Sequence, residues 1–348
     1  MKKHSCTIIL SAALTALMID SSSAFIPPYR VLPVLKCQIT ASCKPALMAP
    51  QILTQKGTVR AQNDAPRQPS SLAVVPPSLS TLIPAAAATL IPAIPSSLLP
   101  PKPLIPSLIN SLLFALSTNK ISNHLTPSGL VHAFILASGL SSFGGWTHWS
   151  TAVCYFTLGV SVTKFRMSEK TAKGIAEGRG GRRGPENVWG SAAVALVCSL
   201  CSAFADATTG ECFRVSKKLW ELAFVSAFAT KLADTFASEI GKGFGKTTFL
   251  ITTLKRVDPG TEGAVSAEGT AAAVVGGALL AAFALALGVI NSKRAFMIAT
   301  VAAFFATNVE SVIGATIQKG WMTNEVVNFV NTLVGAVTAI GLATRFGI

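Results

Sequence analysis

The sequence predicts an all-α fold, a polytopic membrane helix bundle of about six to eight transmembrane helices. Of its 348 residues 50% are hydrophobic and only 13% are charged, whereas an ordinary soluble domain carries about 25% charged residues. The mean hydropathy is +0.54. A spanning helix needs about 20 apolar residues, and shorter ones are tolerated inside bundles. The candidate spans are roughly 103–117, 130–143, 148–163, 187–205, 219–236, 267–290, 294–317 and 326–345.

The first 70 residues predict a two-part plastid leader. Residues 1–24 combine two lysines, an apolar core and small residues ending in SSSA, which is the layout of a signal peptide. The junction SSSAFIPP resembles the cleavage motif of leaders in algae whose plastids came from a red alga. Residues 25–70 hold one acid, Asp64, and six basic residues, a composition typical of a plastid transit peptide. We therefore expect a plastid (chloroplast) membrane protein, and the alternative is a plain signal peptide.

Residues 71–106 form a proline-rich, low-complexity segment. They contain nine prolines in 36 positions. Proline removes amide donors and breaks helices, so this segment cannot cross the bilayer as a regular helix. We expect a linker there, followed by one membrane-embedded domain at residues 107–348.

The distribution of basic residues predicts the orientation in the membrane. The formal net charge is +14, but Lys and Arg outside the leader concentrate in short loops between spans, as the positive-inside bias requires. This explanation leaves no reason to expect a nucleic-acid partner. Counting crossings places the loops 164–186, 241–266 and 318–325 on one side. They hold most of the basic residues, so we expect them to face the stroma.

Two short motifs resemble a P-loop and a metal or redox site, but neither fits the site that it resembles. The run GKGFGKTT at 241–248 lacks the P-loop spacing, because only three residues separate Gly241 from Gly245, and it follows an apolar helix where a P-loop follows a strand. Cys198 and Cys201 lie in an apolar run with no second pair and no histidine nearby. They predict helix packing, not a metal or redox site.

Carboxylates near membrane depth are costly and therefore indicate function. Four of them lie toward the stromal ends of predicted spans: Asp234, Glu239, Glu310 and Glu325. On the last span, a polar stripe recurs at i, i+4 and i+7: Asn324, Asn328 and Asn331. Such a stripe faces the bundle interior or a wet cavity. Polar contacts between helices are the alternative.

The basic, glycine-rich loop that follows the fifth span predicts phosphate binding. It offers hydroxyls, backbone amides and a cation that can hold phosphate oxygens: Thr252, Thr253, Lys255, Gly260, Thr261, Gly263 and Ser266. Mg²⁺ prefers one or two carboxylates together with substrate oxygens. Asp234 and Glu239 are about 140° apart on a regular helix, so we expect the helix to end or bend between them if both bind one ion. A solvated loop with no such role is the alternative.

Three motifs together resemble one integral membrane family. They are ADTFASEIGKGFGKTTFLITTLKRVDPGTEGAVSAEGT, VESVIGATIQ and NEVVNFVNTLVGA, and the basic loop GGRRGPENVWG lies upstream. The family includes plant and cyanobacterial phytyl-phosphate kinases and animal members of unassigned function. The resemblance covers residues 100–348. Glu310 and Glu325 depart from it, because many relatives have aspartate there, a change that keeps the charge.

The resemblance implies a phosphotransferase that moves a phosphoryl group from a nucleoside triphosphate, by family precedent CTP, to phytyl phosphate. The product is phytyl diphosphate for tocopherol (vitamin E) and phylloquinone synthesis, and Mg²⁺ is the expected cofactor. The expected metal ligands are Asp234, Glu239 and Glu310. The expected catalytic residues are these three with Lys255 and Glu325. The expected substrate and nucleotide contacts are Arg182, Asn187, Ser238, Thr252, Thr253, Gly260, Thr261, Gly263, Ser266, Ser311, Gln318, Asn324, Asn328 and Asn331.

Three other functions compete with this expectation. A kinase of free phytol or another polyprenol would differ only in its acceptor, which the apolar spans do not reveal. A transporter would place acids at the membrane midplane and show an internal repeat, and we see no such repeat. A CDP-alcohol transferase would need a D-G-x2-A-R core, which this sequence lacks.

Overall fold

The structure, a computed structural model, describes residues 104–208, 210–317 and 322–348. The predicted leader, the transit segment and residues 71–103 of the linker lie outside these ranges, as does Gln318. The helices are α1 Leu104–Ile121, α2 Pro127–Lys164, α3 Met167–Ala172, α4 Pro185–Ala207, α5 Lys217–Phe244, α6 Ala267–Ala286, α7 Lys293–Thr316 and α8 Asn324–Arg345. Two antiparallel strand pairs join them, β1 Glu211–Cys212 with β2 Val215–Ser216, and β3 Phe249–Leu250 with β4 Ala264–Val265.

Helix α2 reverses direction at Gly145, which has φ 64° and ψ −156°. Its first half starts beside Arg183, whose carbonyl accepts from the Thr126 amide at 3.0 Å. At the reversal His148 Nδ1 lies 2.8 Å from Ser199 Oγ on α4. The second half returns, and Tyr155 accepts a hydrogen bond from the same Arg183 at 2.9 Å. The predicted spans 130–143 and 148–163 are therefore two antiparallel segments.

Helix α5 is the centre of the bundle. Every residue from 222 to 235 is buried, and α4, α6, α7 and α8 all pack against it. Two glycines let α6 approach α5 closely. A Cβ at Gly276 of α6 would lie 3.0 Å from the Leu232 carbonyl oxygen, and one at Gly269 would lie 2.7 Å from the Ala237 carbonyl oxygen. Small residues at helix contacts are the usual means of close packing in lipid.

Four helices, α4, α6, α7 and α8, have the length and hydropathy to cross a membrane. Large apolar side chains on their outer faces are exposed, among them Val275, Val301, Phe305 and Val337. The interior is filled by alanine, leucine and phenylalanine side chains. These features, for the described ranges, confirm the predicted all-α polytopic membrane bundle, while the count of six to eight crossings stays a prediction.

The loops that crossing parity placed on one side do meet at one end of the bundle. Helices α4, α6 and α8 begin there, and α5 and α7 end there. The segments 173–184 and 245–266 cover that end, and the Phe165 and Phe244 rings stack across it with centroids 5.5 Å apart. This confirms the grouping of the loops, and the compartment that they face stays a prediction.

We expect Gly145→Ala to destabilise the reversal in α2. The glycine has a φ and ψ pair that is open almost only to glycine, and strain of this kind costs about 1–3 kcal/mol; no neighbour lies within 4 Å of its Cβ position, so the cost comes from the backbone. The matched control is Gly341→Ala in α8, where the added Cβ also meets nothing and helix propensity improves. Thermal unfolding in detergent measures both. A Gly145→Ala protein that unfolds at or above the wild-type temperature would contradict this account.

Candidate functional site

A polar cavity of about 280 Å³ lies at the end of the bundle where α4, α6 and α8 begin. Its walls come from those helices, from the last turns of α5 and α7, and from the loop 259–266. Five carboxylates and three cations line it within the described ranges: Glu177, Asp234, Glu239, Glu262, Glu310, Arg183, Lys231 and Lys242. The surplus of negative charge favours a bound cation.

Three helix N-termini face this cavity. Asn187 in the first turn of α4 accepts a hydrogen bond from the Gly184 amide at 3.1 Å. Ser266 caps α6, where its hydroxyl accepts from the Gly269 amide at 3.0 Å. Asn324 opens α8 and lines the cavity as well. Helix N-termini carry partial positive charge and free amide donors, so their convergence favours an anion such as phosphate.

Lys231 joins α5 to α8 at the floor of the cavity. Its ammonium group donates to Asp234 Oδ2 and to Asn328 Oδ1, both at 2.6 Å. All three residues are buried. A charge at this depth is costly unless it is paired and hydrogen-bonded, so these contacts position the Asp234 carboxylate and the Asn328 amide with little freedom.

Glu310 of α7 completes a carboxylate pair with Asp234. It interacts with the Asp234 carboxyl group, with Lys231 and with Glu262. Two carboxylates at close range cannot both stay ionised without a proton or a cation between them. Asn328 and Ser311 line the same cavity, so the residue types present include the oxygen ligands that Mg²⁺ prefers.

Glu239 has a different environment from the one we expected. Its carboxylate forms a buried ion pair with Lys170, which also donates to the Thr163 carbonyl at 2.7 Å. Helix α5 continues without a break to Phe244, so the bend needed to bring Glu239 and Asp234 onto one ion is absent. No three His, Cys, Asp or Glu side chains cluster for a metal in the described part of the chain. The structure therefore pairs Glu239 with Lys170 and does not bend α5 as we expected, while metal binding by Asp234, Glu239 and Glu310 stays a prediction.

The cavity gathers most of the predicted site residues. Those that line it are Asn187, Asp234, Ser238, Glu239, Gly260, Thr261, Gly263, Ser266, Glu310, Ser311, Asn324 and Asn328. They come from four helices and one loop. Gly263 has φ 75°, and a Cβ there would lie 2.6 Å from the Ser311 carbonyl oxygen, so the loop packs directly on the end of α7.

Several predicted residues lie away from the cavity. Thr252, Thr253 and Lys255 are exposed at the tip of the β3–β4 hairpin. Glu325 packs with its backbone against Gly190 of α4 and is absent from the lining. Asn331 is fully buried below the cavity, and its amide has no hydrogen-bond partner in the described structure. The hairpin residues are exposed and Glu325 faces α4, whereas Asn331 shares the face of Asn324 and Asn328 but lies about two turns deeper than Asn324.

The arginine of the cavity is Arg183, not the predicted Arg182. Arg182 donates to the Leu125 carbonyl at 3.2 Å, whereas Arg183 is buried and donates to the Tyr155 hydroxyl at 2.9 Å beside the cavity. Adjacent residues in an extended segment point in opposite directions. The basic loop therefore brings Arg183 to the cavity, whereas Arg182 lies outside the cavity lining.

Lys231 is the main residue that the sequence analysis missed. The sequence does carry a signal for Lys231, because a lysine inside the apolar span 219–236 is as costly as a carboxylate there. Other missed polar residues also line the cavity: Thr235, Thr248, Thr270, Thr307 and Asn308. Single hydroxyls and amides inside apolar helices carry little positional signal, since they are also common between packed helices.

We expect Lys231→Met to destabilise the protein by about 3–5 kcal/mol, because it leaves the buried Asp234 carboxylate without its partner. Lys242→Met is the matched control. Its ammonium lies 3.8 Å from Glu239 and the side chain is 27% exposed, so that change should cost less than about 1 kcal/mol. The double variant Lys231→Met with Asp234→Leu should recover much of the loss. Thermal unfolding in detergent separates these cases, and equal stability of the two single variants would contradict the role of Lys231.

Residues 110–336 match the family described as integral membrane protein DUF92. The membrane protein sll0875 of Synechocystis sp. is 48% identical over 238 residues, which cover 68% of this chain and 89% of that protein. Protein VTE6, chloroplastic, of Arabidopsis thaliana is 40% identical over 235 residues, 66% of this chain and 69% of that protein. The membrane protein MJ0933 of Methanocaldococcus jannaschii is 28% identical over 239 residues, 68% of this chain and 93% of that protein. No solved structure matches the chain. The family resemblance predicted from the motifs is thus confirmed: the chain belongs to the DUF92 family of integral membrane proteins.

Proposed function

We propose that the protein is a membrane-bound phytyl-phosphate kinase that transfers the γ-phosphoryl group of a nucleoside triphosphate, CTP by family precedent, to phytyl phosphate. The products are phytyl diphosphate and the nucleoside diphosphate. One observation carries the proposal: three helix N-termini, two buried cations and a carboxylate pair converge in a single cavity at one end of a membrane bundle. Phosphoryl transfer needs positioning and charge neutralisation above all, and this cavity offers both.

The relatives support the choice of acceptor. The chain is 40% identical to Protein VTE6, chloroplastic, and its three motifs resemble those of phytyl-phosphate kinases. The predicted plastid leader agrees with the chloroplast location in that relative's name. We propose on the same basis that the protein lies in a plastid membrane with the cavity toward the stroma, where the basic loops are expected.

Cations and helix N-termini would bind the phosphates. Arg183 and Lys231 bring buried positive charge to the cavity, and the amide groups at the start of α4 and α6 supply further donors. These groups are fixed before substrate arrives, because each is tied into the bundle by hydrogen bonds. Fixed donors in a partly dry site stabilise the charge of the transferring phosphoryl group better than water does.

The residues present fit a Mg²⁺ ion. Asp234 and Glu310 would hold it, with oxygens of Asn328 and Ser311 within the same cavity. When bound, Mg²⁺ would neutralise phosphate charge and orient the triphosphate. Glu239 would act differently, since its ion pair with Lys170 anchors the segment 165–183 over the site.

The acceptor needs little help from a general base. A phosphate monoester has a second pKa near 6, so its oxygens are already largely anionic at neutral pH. In agreement, the cavity lining in the described ranges contains neither His nor Cys. The attacking oxygen of the monophosphate would displace the nucleoside diphosphate, and the role of the protein would be to hold the two anions close together.

The rivals receive less support. A transporter needs a polar path across the membrane, but below Lys231 the interior of α5 is lined by large apolar side chains, including Phe224, Phe228 and Leu222. A kinase of free phytol would need a group that removes the hydroxyl proton, and Asp234 or Glu310 are the nearest candidates. The acceptor test below separates that enzyme from the one we propose.

The proposal is tested by offering phytyl phosphate and free phytol side by side to membranes that contain the full chain, with CTP, ATP, UTP or GTP and Mg²⁺. We expect diphosphate from phytyl phosphate and no phosphorylation of phytol.

Asp234→Asn should lower turnover at least a thousandfold while the protein still accumulates, because the metal and Lys231 lose their shared carboxylate. Glu325→Gln is the control, outside the cavity lining, and should stay within threefold of wild type. Phosphorylation of phytol, or a fully active Asp234→Asn protein, would overturn the proposal.

A further inference from the structure

The wall of the cavity between α6 and α7 is not fully buried, and we call this wall the window. On the α6 side Thr270 and Ala273 line it, and on the α7 side Phe304 and Asn308 do. Thr270 is exposed, and Phe304 and Asn308 are only partly buried. Because these three side chains line the cavity and are also accessible at the surface, the window is a candidate route between the site and the surroundings of the bundle.

The window is bounded at both ends along α6. One turn deeper than Ala273, α6 and α7 meet, and a Cβ at Gly277 would lie 3.2 Å from the Ala303 Cβ. At the other end the loop before α6 covers the end of α7, where Gly263 packs on Ser311. The contact at Gly277 closes the deep end of the window, which spans about two turns of α6 between Thr270 and Gly277.

The window faces the part of the surface that we assign to lipid. Exposed apolar side chains flank it, Val274 on α6 and Val301 and Phe305 on α7, with 42%, 49% and 51% of their surface accessible. Both helices have the length and hydropathy of spans. A path to the hydrocarbon layer from a cavity with buried cations and three helix N-termini suits a ligand with an anionic head and an apolar tail, whereas a wholly polar ligand does not need such a path.

We propose that the window between α6 and α7 holds the hydrocarbon tail of the lipid phosphate whose head binds in the cavity. This inference rests on the proposed kinase function and adds the position of the acceptor. The first carbons of the tail would lie against Phe304 and Ala273, and the rest would extend into the bilayer. A tail of five carbons would end inside the window, whereas a phytyl tail must pass the exposed edge at Thr270 to reach the bilayer.

A bulky residue in the window tests the proposal by kinetics. Thr270→Phe adds a ring at the exposed edge of the window, and Val274→Phe adds the same ring one turn away on the lipid-facing surface. We expect the ratio of kcat/KM for phytyl phosphate to that for the five-carbon dimethylallyl phosphate to fall at least tenfold in Thr270→Phe. The ratio should change less than twofold in Val274→Phe. An unchanged ratio in Thr270→Phe would overturn the tail assignment, whatever the absolute rates are.

A second measurement does not depend on turnover. The purified full chain in lipid vesicles is irradiated with a hexadecyl phosphate that carries a diazirine near its phosphate, and labelled peptides are identified by mass spectrometry. We expect labels in residues 267–276 and 301–311, and their loss in Thr270→Phe but not in Val274→Phe. Labels spread evenly over lipid-facing helices would overturn the tail site even if the kinase is active. Labels confined to the window of a protein without kinase activity would retain the tail site and reject the proposed reaction.

Discussion

The buried ammonium group of Lys231 is the interaction on which the geometry of the cavity depends. It lies on the most buried helix and binds one carboxylate on its own helix and one amide on α8, both at 2.6 Å. A lone charge at this depth would cost several kcal/mol, a large part of the about 5–15 kcal/mol by which domains are stable. The pairing therefore sets the rotation of α5 and α8 relative to each other, and with it the position of Asp234 and Asn328 at the cavity floor.

Alternation of helix direction explains why the rest of the site forms at that end. Antiparallel neighbours bring the N-termini of α4, α6 and α8 beside the C-terminal turns of α5 and α7. Donors for an anion and carboxylates for a cation are thus supplied by opposite helix ends within one space. Glycines at 269 and 276 hold α6 against α5, and Gly277 lies against Ala303 of α7.

Apolar periodicity and the cost of burying charge were sufficient to predict much of this arrangement. They located the spans, the two short segments of α2, the end at which the loops meet, and Asp234, Glu310 and Asn328. They did not predict that α5 continues through Glu239. A continuous helix buries the Glu239 carboxylate, and its ion-pair partner is Lys170, which lies 69 positions away in the sequence. Nor could they separate Arg183 from Arg182 or place Lys255 outside the cavity, since loop conformation is determined by tertiary contacts that sequence spacing does not encode.

The central claim is that this cavity binds the phosphates of a nucleotide with a divalent cation. The most direct test is a cryo-electron microscopy structure of the full chain in a lipid nanodisc with Mg²⁺ and a non-hydrolysable CTP analogue. We expect density for the phosphates between Arg183 and Lys231, at the start of α4 and α6, and density for the ion beside Asp234 and Glu310. Nucleotide density at the opposite end of the bundle, or a well-resolved cavity without nucleotide at saturating analogue, would contradict it.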